Sequence, residues 1–283
     1  MKKLVALMLV GAMTTAMVTG CGSSTDTSAS TDAAEDTAAD AEATEDTAEA
    51  AEDTAADAKS DLAYVKEKGT LVVGITEFEP MDYKDENGEW IGFDADMAKA
   101  FAESLGVTAE FQVIDWDNKI LELDGKTIDC VWNGMTLTDE VTSAMECTNA
   151  YLNNAQVVVV PADVADQYQD EESLKDLSFA VEAGSAGEAE VSALGLNYTP
   201  VSSQADALME VASKSSDAAV IDSLMAGAMI GEGTGYADLT YTIGLNSEEY
   251  GVGFRKGSDL AAALNDYFTT SLEDGSMEKV AET

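Results

Sequence analysis

The chain has 283 residues, with 55 acidic side chains against 14 basic ones, no histidine and a net charge of −41. Such a surface repels nucleic acid and anionic lipid headgroups, which excludes DNA- and RNA-binding functions. Without histidine, and with only three cysteines, neither a zinc site nor a disulfide framework is readily assembled.

Residues 1–20, "MKKLVALMLVGAMTTAMVTG", place Lys2 and Lys3 ahead of an apolar run that ends in small residues. That is the pattern of an export signal, too short and wrongly flanked for a membrane span. The run leads into Cys21, and from there to residue 60 the chain is a low-complexity acidic tract with near-repeats of "AEDTAAD". It has no apolar side chain larger than alanine, so nothing offsets the entropy of ordering it. Residues 21–60 are expected to form a disordered, self-repelling tether.

From residue 61 onward the composition changes, and runs such as "TLVVGI", "QVVVV" and "DAAVID" can build a substantial core. "AYVKEKG" predicts a short helix closed by Gly69, and "TLVVGI" a buried strand. "KDENGEW" predicts a turn about Asn87-Gly88. Met97, Phe101 and Leu105, spaced four apart and stopped by Gly106, predict an amphipathic helix, with "TAEFQVI" a strand after it. "WDNKILELDGKTID" gives another helix and turn, and "DCVWNG" another strand. The rhythm then restarts through "AQVVVV", "EESLKDL", "SFAVEAGSAGEAEV", "SQADALMEVASKSS" and "DAAVIDSLMAGAMI". Two extended segments in "YTIGLNSEEYGVGFRKGS" and a helical end complete it. Alternating strands and helices predict α/β units on mainly parallel sheets, with a ligand crevice at the strand C-termini. Cys130 and Cys147 leave open a single disulfide bridge.

Several stretches together resemble the extracellular solute-binding proteins, family 3, of polar amino-acid ABC importers. They are "GTLVVGITEFEPMDYKDENGEWIGFDADMAKAFAESLG", "DWDNKILELDGKTIDCVWNGMTLTDE", "FAVEAGSAGE", "DAAVIDSLMAG" and "YGVGFRKGSDLAAALND", in the family's order from about residue 61 to the end. "VTGC" similarly resembles the bacterial lipoprotein signal, in which the cysteine, here Cys21, is lipidated. The resemblance implies a two-lobed periplasmic-binding-protein-like fold, each lobe a mainly parallel sheet with flanking helices. Two strands would cross the hinge, near "QVVVVP" and "LNSEEYG". Lobe 1 would comprise 61–157 and 249–283, and lobe 2 158–248, closing on a small ligand like a hinged shell. It implies a monomer without enzymatic activity or cofactor. That monomer would be anchored outside the cytoplasmic membrane and would deliver an amino acid or related polar or cationic solute to a permease powered by an ATPase.

By the same resemblance, Asp222, after the "AAVID" strand, takes the ligand ammonium; as the opening residue of "DSLM" it also suits a helix N-cap. The carbonyl of Gly134 accepts from that ammonium, and Thr136 offers its N–H and hydroxyl to the carboxylate. Ser185 and Gly187 in "GSAGE" offer N–H groups at a helix N-terminus, with Ala186 replacing a hydroxyl common in the family. Phe78 and Trp116 match the flanking aromatics, whereas Trp90 and Trp132 read as packing residues and Glu77 and Glu79 as rim charges.

One departure bears on the ligand. Where the family carries an arginine that grips the ligand carboxylate through two parallel hydrogen bonds, "TDEV" places Val141. The one arginine of the chain is Arg255. Three readings stay open: a lysine such as Lys119 supplies the charge, the ligand lacks a free α-carboxylate, or a helix terminus and hydroxyls hold a carboxylate alone. Two further functions share the scaffold. A sensory or surface lipoprotein would signal through its closed form, and a dehydratase-like enzyme would need an acid–base arrangement that a chain without histidine hardly supplies.

Overall fold

In the computed structural model, residues 60–282 are described; the export signal, Cys21 and the tether up to Lys59 lie outside the described residues. The β-branched run Thr70–Ile75 is the buried centre of the first sheet. It pairs in parallel with Thr108–Val113 on one side and Cys130–Thr136 on the other. The crossover between the first two is the helix Phe93–Leu105. It buries Met97 and Phe101, leaves Leu105 half-buried against the same core, and ends on Gly106 at φ 78°, the left-handed stop that glycine adopts without strain. Glu248–Phe254 returns antiparallel beside Cys130–Thr136 and also pairs with Glu146–Cys147 and Leu152–Asn154.

The second sheet runs in the order Asn197–Val201, Ser178–Glu182, Ala218–Asp222, Gln156–Pro161, Leu239–Gly244. Its first three strands are parallel and its last two antiparallel to their neighbours. The chain passes between the sheets twice, from Asn154 to Gln156 and from Gly244 to Glu248. This is the two-lobed periplasmic-binding-protein-like architecture, with Thr136, Glu182 and Asp222 at the ends of their strands. Among the described residues no helix is long and apolar enough to cross a membrane.

Trp132 is buried in the first core, 5.6 Å from Phe268 and 6.4 Å from Phe101 between ring centroids, and Trp90 packs half-buried at its margin. Arg255 is buried on the same side. It donates to the carbonyls of Ile128 (2.8 Å) and Leu123 (3.3 Å) and pairs with Asp61 (3.0 Å) and Asp129 (3.5 Å). Its charge is therefore committed to holding the N-terminal helix, Asp61–Lys68, against the first sheet. Cys130 and Cys147 are both free thiols.

The "GFDADMA" segment shows how the first lobe fixes its strand ends. The N–H groups of Phe93 and Asp94 donate to the carbonyls of Pro80 (3.1 Å) and Met81 (3.0 Å). Gly92, at φ 115°, lies so close to these carbonyls that a Cβ would overlap both. The Asp94 carboxylate, wholly buried, accepts from the Gly134 N–H at 2.6 Å and the Tyr151 hydroxyl at 2.8 Å. Gly92→Ala is expected to destabilise the protein by ~1–3 kcal/mol, since it meets both a left-handed φ and a backbone overlap. A urea denaturation midpoint unchanged from wild type would contradict that packing.

Candidate functional site

A cavity of about 250 Å³ lies where strand ends from the two sheets converge. Asp222 occupies its floor. The residue stands at the N-cap position of the helix Ser223–Met229, yet its carboxylate makes no capping bond. Instead Oδ1 accepts from Tyr250 (2.7 Å), Gln156 (2.9 Å) and Asn154, and Oδ2 accepts from Gln204. The Asp222 N–H in turn donates to Gln204 Oε1 at 2.8 Å. Only 4% exposed, Asp222 has its pKa raised to about 7, first by burial and then by Glu248, with Tyr250 and Gln204 pulling it back.

Beside it, at the end of the neighbouring strand Ser178–Glu182, Glu182 is 2% exposed. Its Oε1 is sealed from solvent and accepts no hydrogen bond. Burial and the Asp222 charge push its pKa up to about 8, against smaller opposing effects of Gln204, Lys119 and Thr76. Across the cavity the Lys119 ammonium donates to Gly184 O (2.8 Å) in the second lobe and Trp116 O (3.2 Å) in its own, 5.0 Å from the Trp116 ring centroid. Burial lowers its pKa, opposed by Glu140, Glu182, Asp117 and Glu188. Lys119 is the one cation among the described residues that line this cavity.

Phe78, Trp116, Gly134, Thr136, Ser185 and Asp222 all line the cavity. Gly134 has φ 55°, and a Cβ there would stand 2.5 Å from Phe78 Cε1. The Thr136 hydroxyl is spent on Glu248 at 2.9 Å. Ser185 caps its helix by accepting from the Glu188 N–H (3.1 Å), and its own N–H donates to Glu182 O (3.2 Å). Gly187 is not in the lining; Ala186 is. A Cβ on Gly187 would meet Gln156 Oε1 at 2.9 Å and Val220 O at 3.1 Å, so the glycine there lets its helix seat on the sheet. Val141, 3% exposed, lines the cavity at the first turn of Asp139–Ala144. Glu77 and Glu79 are exposed and outside the lining, and Arg255 is remote from it.

Sequence reasoning passes over Glu182, Gln204, Asn133 and Thr76. Asn133 fixes Thr76 by accepting from its N–H (2.9 Å) and hydroxyl (2.8 Å) and donating to its carbonyl (3.0 Å). A signal for Glu182 was present: "FAVE" ends an apolar strand in an acid, as "AAVID" does.

These raised values fix a pH dependence. Asp94, like Asp222, is raised to about 7, mainly by burial. Each of these carboxyls would ionise near 4 in the unfolded chain. As pH rises through that range, the unfolded state loses protons that the native state keeps, so stability falls with pH until the native pKa values are passed. The ligand-free protein is expected to melt several degrees higher at pH 5 than at pH 8, and Asp222→Asn to flatten that slope. Thermal melts across pH 4–9 measure it, and a stability that climbs over this range would contradict the assignment.

The family described as "Bacterial extracellular solute-binding proteins, family 3" matches residues 71–283. The L-cystine-binding protein TcyJ of Escherichia coli (strain K12) is 26% identical over 222 residues, covering 77% of this chain and 83% of that protein. A crystal structure of a mutant of ArgBP from T. maritima superposes with a TM-score of 0.74 at 32% identity, covering 78% of this chain and 97% of that one. The ancestral amino acid-binding protein AncCDT-1, a precursor of cyclohexadienyl dehydratase, gives 0.72 at 32% identity, with coverages of 79% and 98%.

Proposed function

This chain belongs to the bacterial extracellular solute-binding proteins of family 3, and from that premise we propose that its cleft captures an amino acid or a related small amine for an ABC importer. The observation that carries this reading is Asp222, a buried carboxylate at the cavity floor whose four donors are all neutral. Its negative charge has no cationic partner among the described residues, and a solute ammonium supplies one. Gly134 offers its carbonyl to the same ammonium, Phe78 and Trp116 enclose the solute, and the Ser185 hydroxyl contributes from the second lobe. Lys119 takes over the charge that Val141 lacks. Two of its three hydrogens are engaged, and the third is directed to a solute carboxylate or other acceptor. Gly187 acts by seating the helix behind Ser185 rather than by touching the solute.

Export ends in lipidation of Cys21, and the acidic tract spaces a monomeric binding domain from the membrane. Closure of the lobes about the solute forms the surface that the permease reads, with ATP hydrolysis in the partner subunit. The protein performs no chemistry of its own. The test is a thermal-shift and calorimetric panel of amino acids and amines against the purified protein. One-to-one saturable binding is expected, with the solute recovered unchanged; turnover of the solute would favour an enzyme instead. Asp222→Asn should weaken binding by ~1.5–3 kcal/mol, the worth of a hydrogen bond to a charged group, which is roughly tenfold to a hundredfold. Lys119→Met should weaken carboxylate-bearing solutes and spare amines without a carboxylate. Equal losses for both classes would remove Lys119 from that role.

A further inference from the structure

Glu182 lines the cavity without a part in the proposed roles, and its Oε1 is buried without a hydrogen-bond partner. It stands at the C-terminal end of its strand, next to the strand that ends in Asp222, and both carboxylates border the cavity. Gln204 links them spatially: its amide nitrogen is bonded to Asp222 Oδ2, and its polar group also influences Glu182. Whereas Asp222 has four donors, Glu182 Oε1 is buried and accepts no hydrogen bond, and the carboxyl's hydrogen-bonding neighbours are the side chains of Gln204 and Thr76. Lys119, the cavity's cation, donates to two carbonyls and forms no ion pair with Glu182 within 4 Å among the described residues. A buried acceptor left empty costs more than one replaced by an apolar side chain. Its retention is explained if a donor arrives from outside.

Resting on the reading above, we propose that Glu182 and Asp222 together clamp one ammonium group of the solute, so that this pocket selects for a primary amine more stringently than a single carboxylate would. An ammonium has three hydrogens and no acceptor, which matches the carboxylates of Asp222 and Glu182 and the Gly134 carbonyl, all from residues that line the cavity. The charged groups facing Glu182 are Asp222 and Lys119, with Glu248 behind Asp222. Because both clamp carboxyls sit high when the site is empty, docking of an ammonium drives protons off them, and binding near pH 7 releases protons.

The experiment titrates purified protein with L-arginine, L-lysine, L-glutamine, L-cystine and cadaverine, with Nα-acetyl-L-glutamine as the control lacking an ammonium. Calorimetry at pH 7 in buffers of different ionisation enthalpy reads affinity and proton release together. For whichever amine binds wild type most tightly, Glu182→Gln is expected to weaken binding tenfold or more and to reduce proton release. Glu182→Asp should fall between, and the acetylated control should bind neither protein. The same Glu182→Gln change should raise the melting temperature of the ligand-free protein at pH 7–8, by relieving an unpartnered buried carboxyl, which also shows that the variant folds. Glu182→Gln binding the amine as tightly as wild type, or releasing the same protons, overturns the clamp and leaves Asp222 as the single anchor. Absence of binding by every compound in wild type overturns the capture of amines altogether, and the clamp with it.

Discussion

A carboxylate removed from water without a counter-charge must be surrounded by donors, and the arrangement around Asp222 follows from that demand. Asn154 and Gln156 each donate both to Asp222 Oδ1 and to Glu248 Oε1. Two side-chain amides thus stand between two acids as neutral spacers, each with two hydrogens to share. Tyr250 and Gln204 complete the shell. Burial, and then the Glu248 charge, raise the Asp222 pKa to about 7, and neutral donors offset this less than an ion pair would. A site left short of positive charge in this way is prepared for a cation.

The location of those donors matters as much as their number. Asn154 and Gln156 lie on the outgoing passage between the sheets, and Glu248 and Tyr250 open the return strand. The segments that would absorb any bending of one lobe against the other therefore also hold Asp222. The walls, in contrast, are fixed within each lobe: Asn133 pins Thr76, and Asp94 pins Gly134. Across the cleft the lobes meet at Gly184, whose φ of 71° and lack of a side chain admit Asp117, since a Cβ would come within 2.7 Å of the Asp117 Cα. Lys119 donates to the Gly184 carbonyl at the same place. Rigid walls, a polar hinge and a small contact at the lip are what a closing trap requires.

The fold was legible in the sequence because its signals are local. Apolar strands of β-branched residues, a four-residue apolar spacing ended by Gly106, and a rhythm that restarts after Tyr151 all report on the backbone nearby. Asp222 was marked by the family resemblance, through its place at the end of the "AAVID" strand, and it lines the cavity. Its partners were not marked. Asn154, Gln156, Gln204 and Tyr250 reach it from 68, 66, 18 and 28 residues away, and no periodicity reports such long-range pairing. Gly187, expected from the resemblance to offer an N–H, is not in the cavity lining, and a Cβ there would meet Gln156 and Val220. Glu182 carried a signal, an acid closing the apolar strand "FAVE", and its burial and unpartnered oxygen set it apart in the structure.

The loss of the arginine is best understood as a redistribution of charge around the cavity. At the start of the short helix Asp139–Ala144, Val141 presents hydrocarbon where a guanidinium would bring a fixed positive charge and two parallel donors. Arg255 cannot compensate, since its nitrogens are consumed by Asp61, Asp129 and two carbonyls on the far side of the first lobe. What replaces it is a compact ammonium at Lys119, resting over Trp116 and tied to the opposite lobe. An ammonium lacks the planar fork that reads a carboxylate, so carboxylate recognition weakens in direction. On the proposed reading, Glu182 adds a second acid beside Asp222 and recognition shifts toward the amine end of the solute. The pocket would then hold a zwitterion while placing most of its discrimination on the group that carries the positive charge.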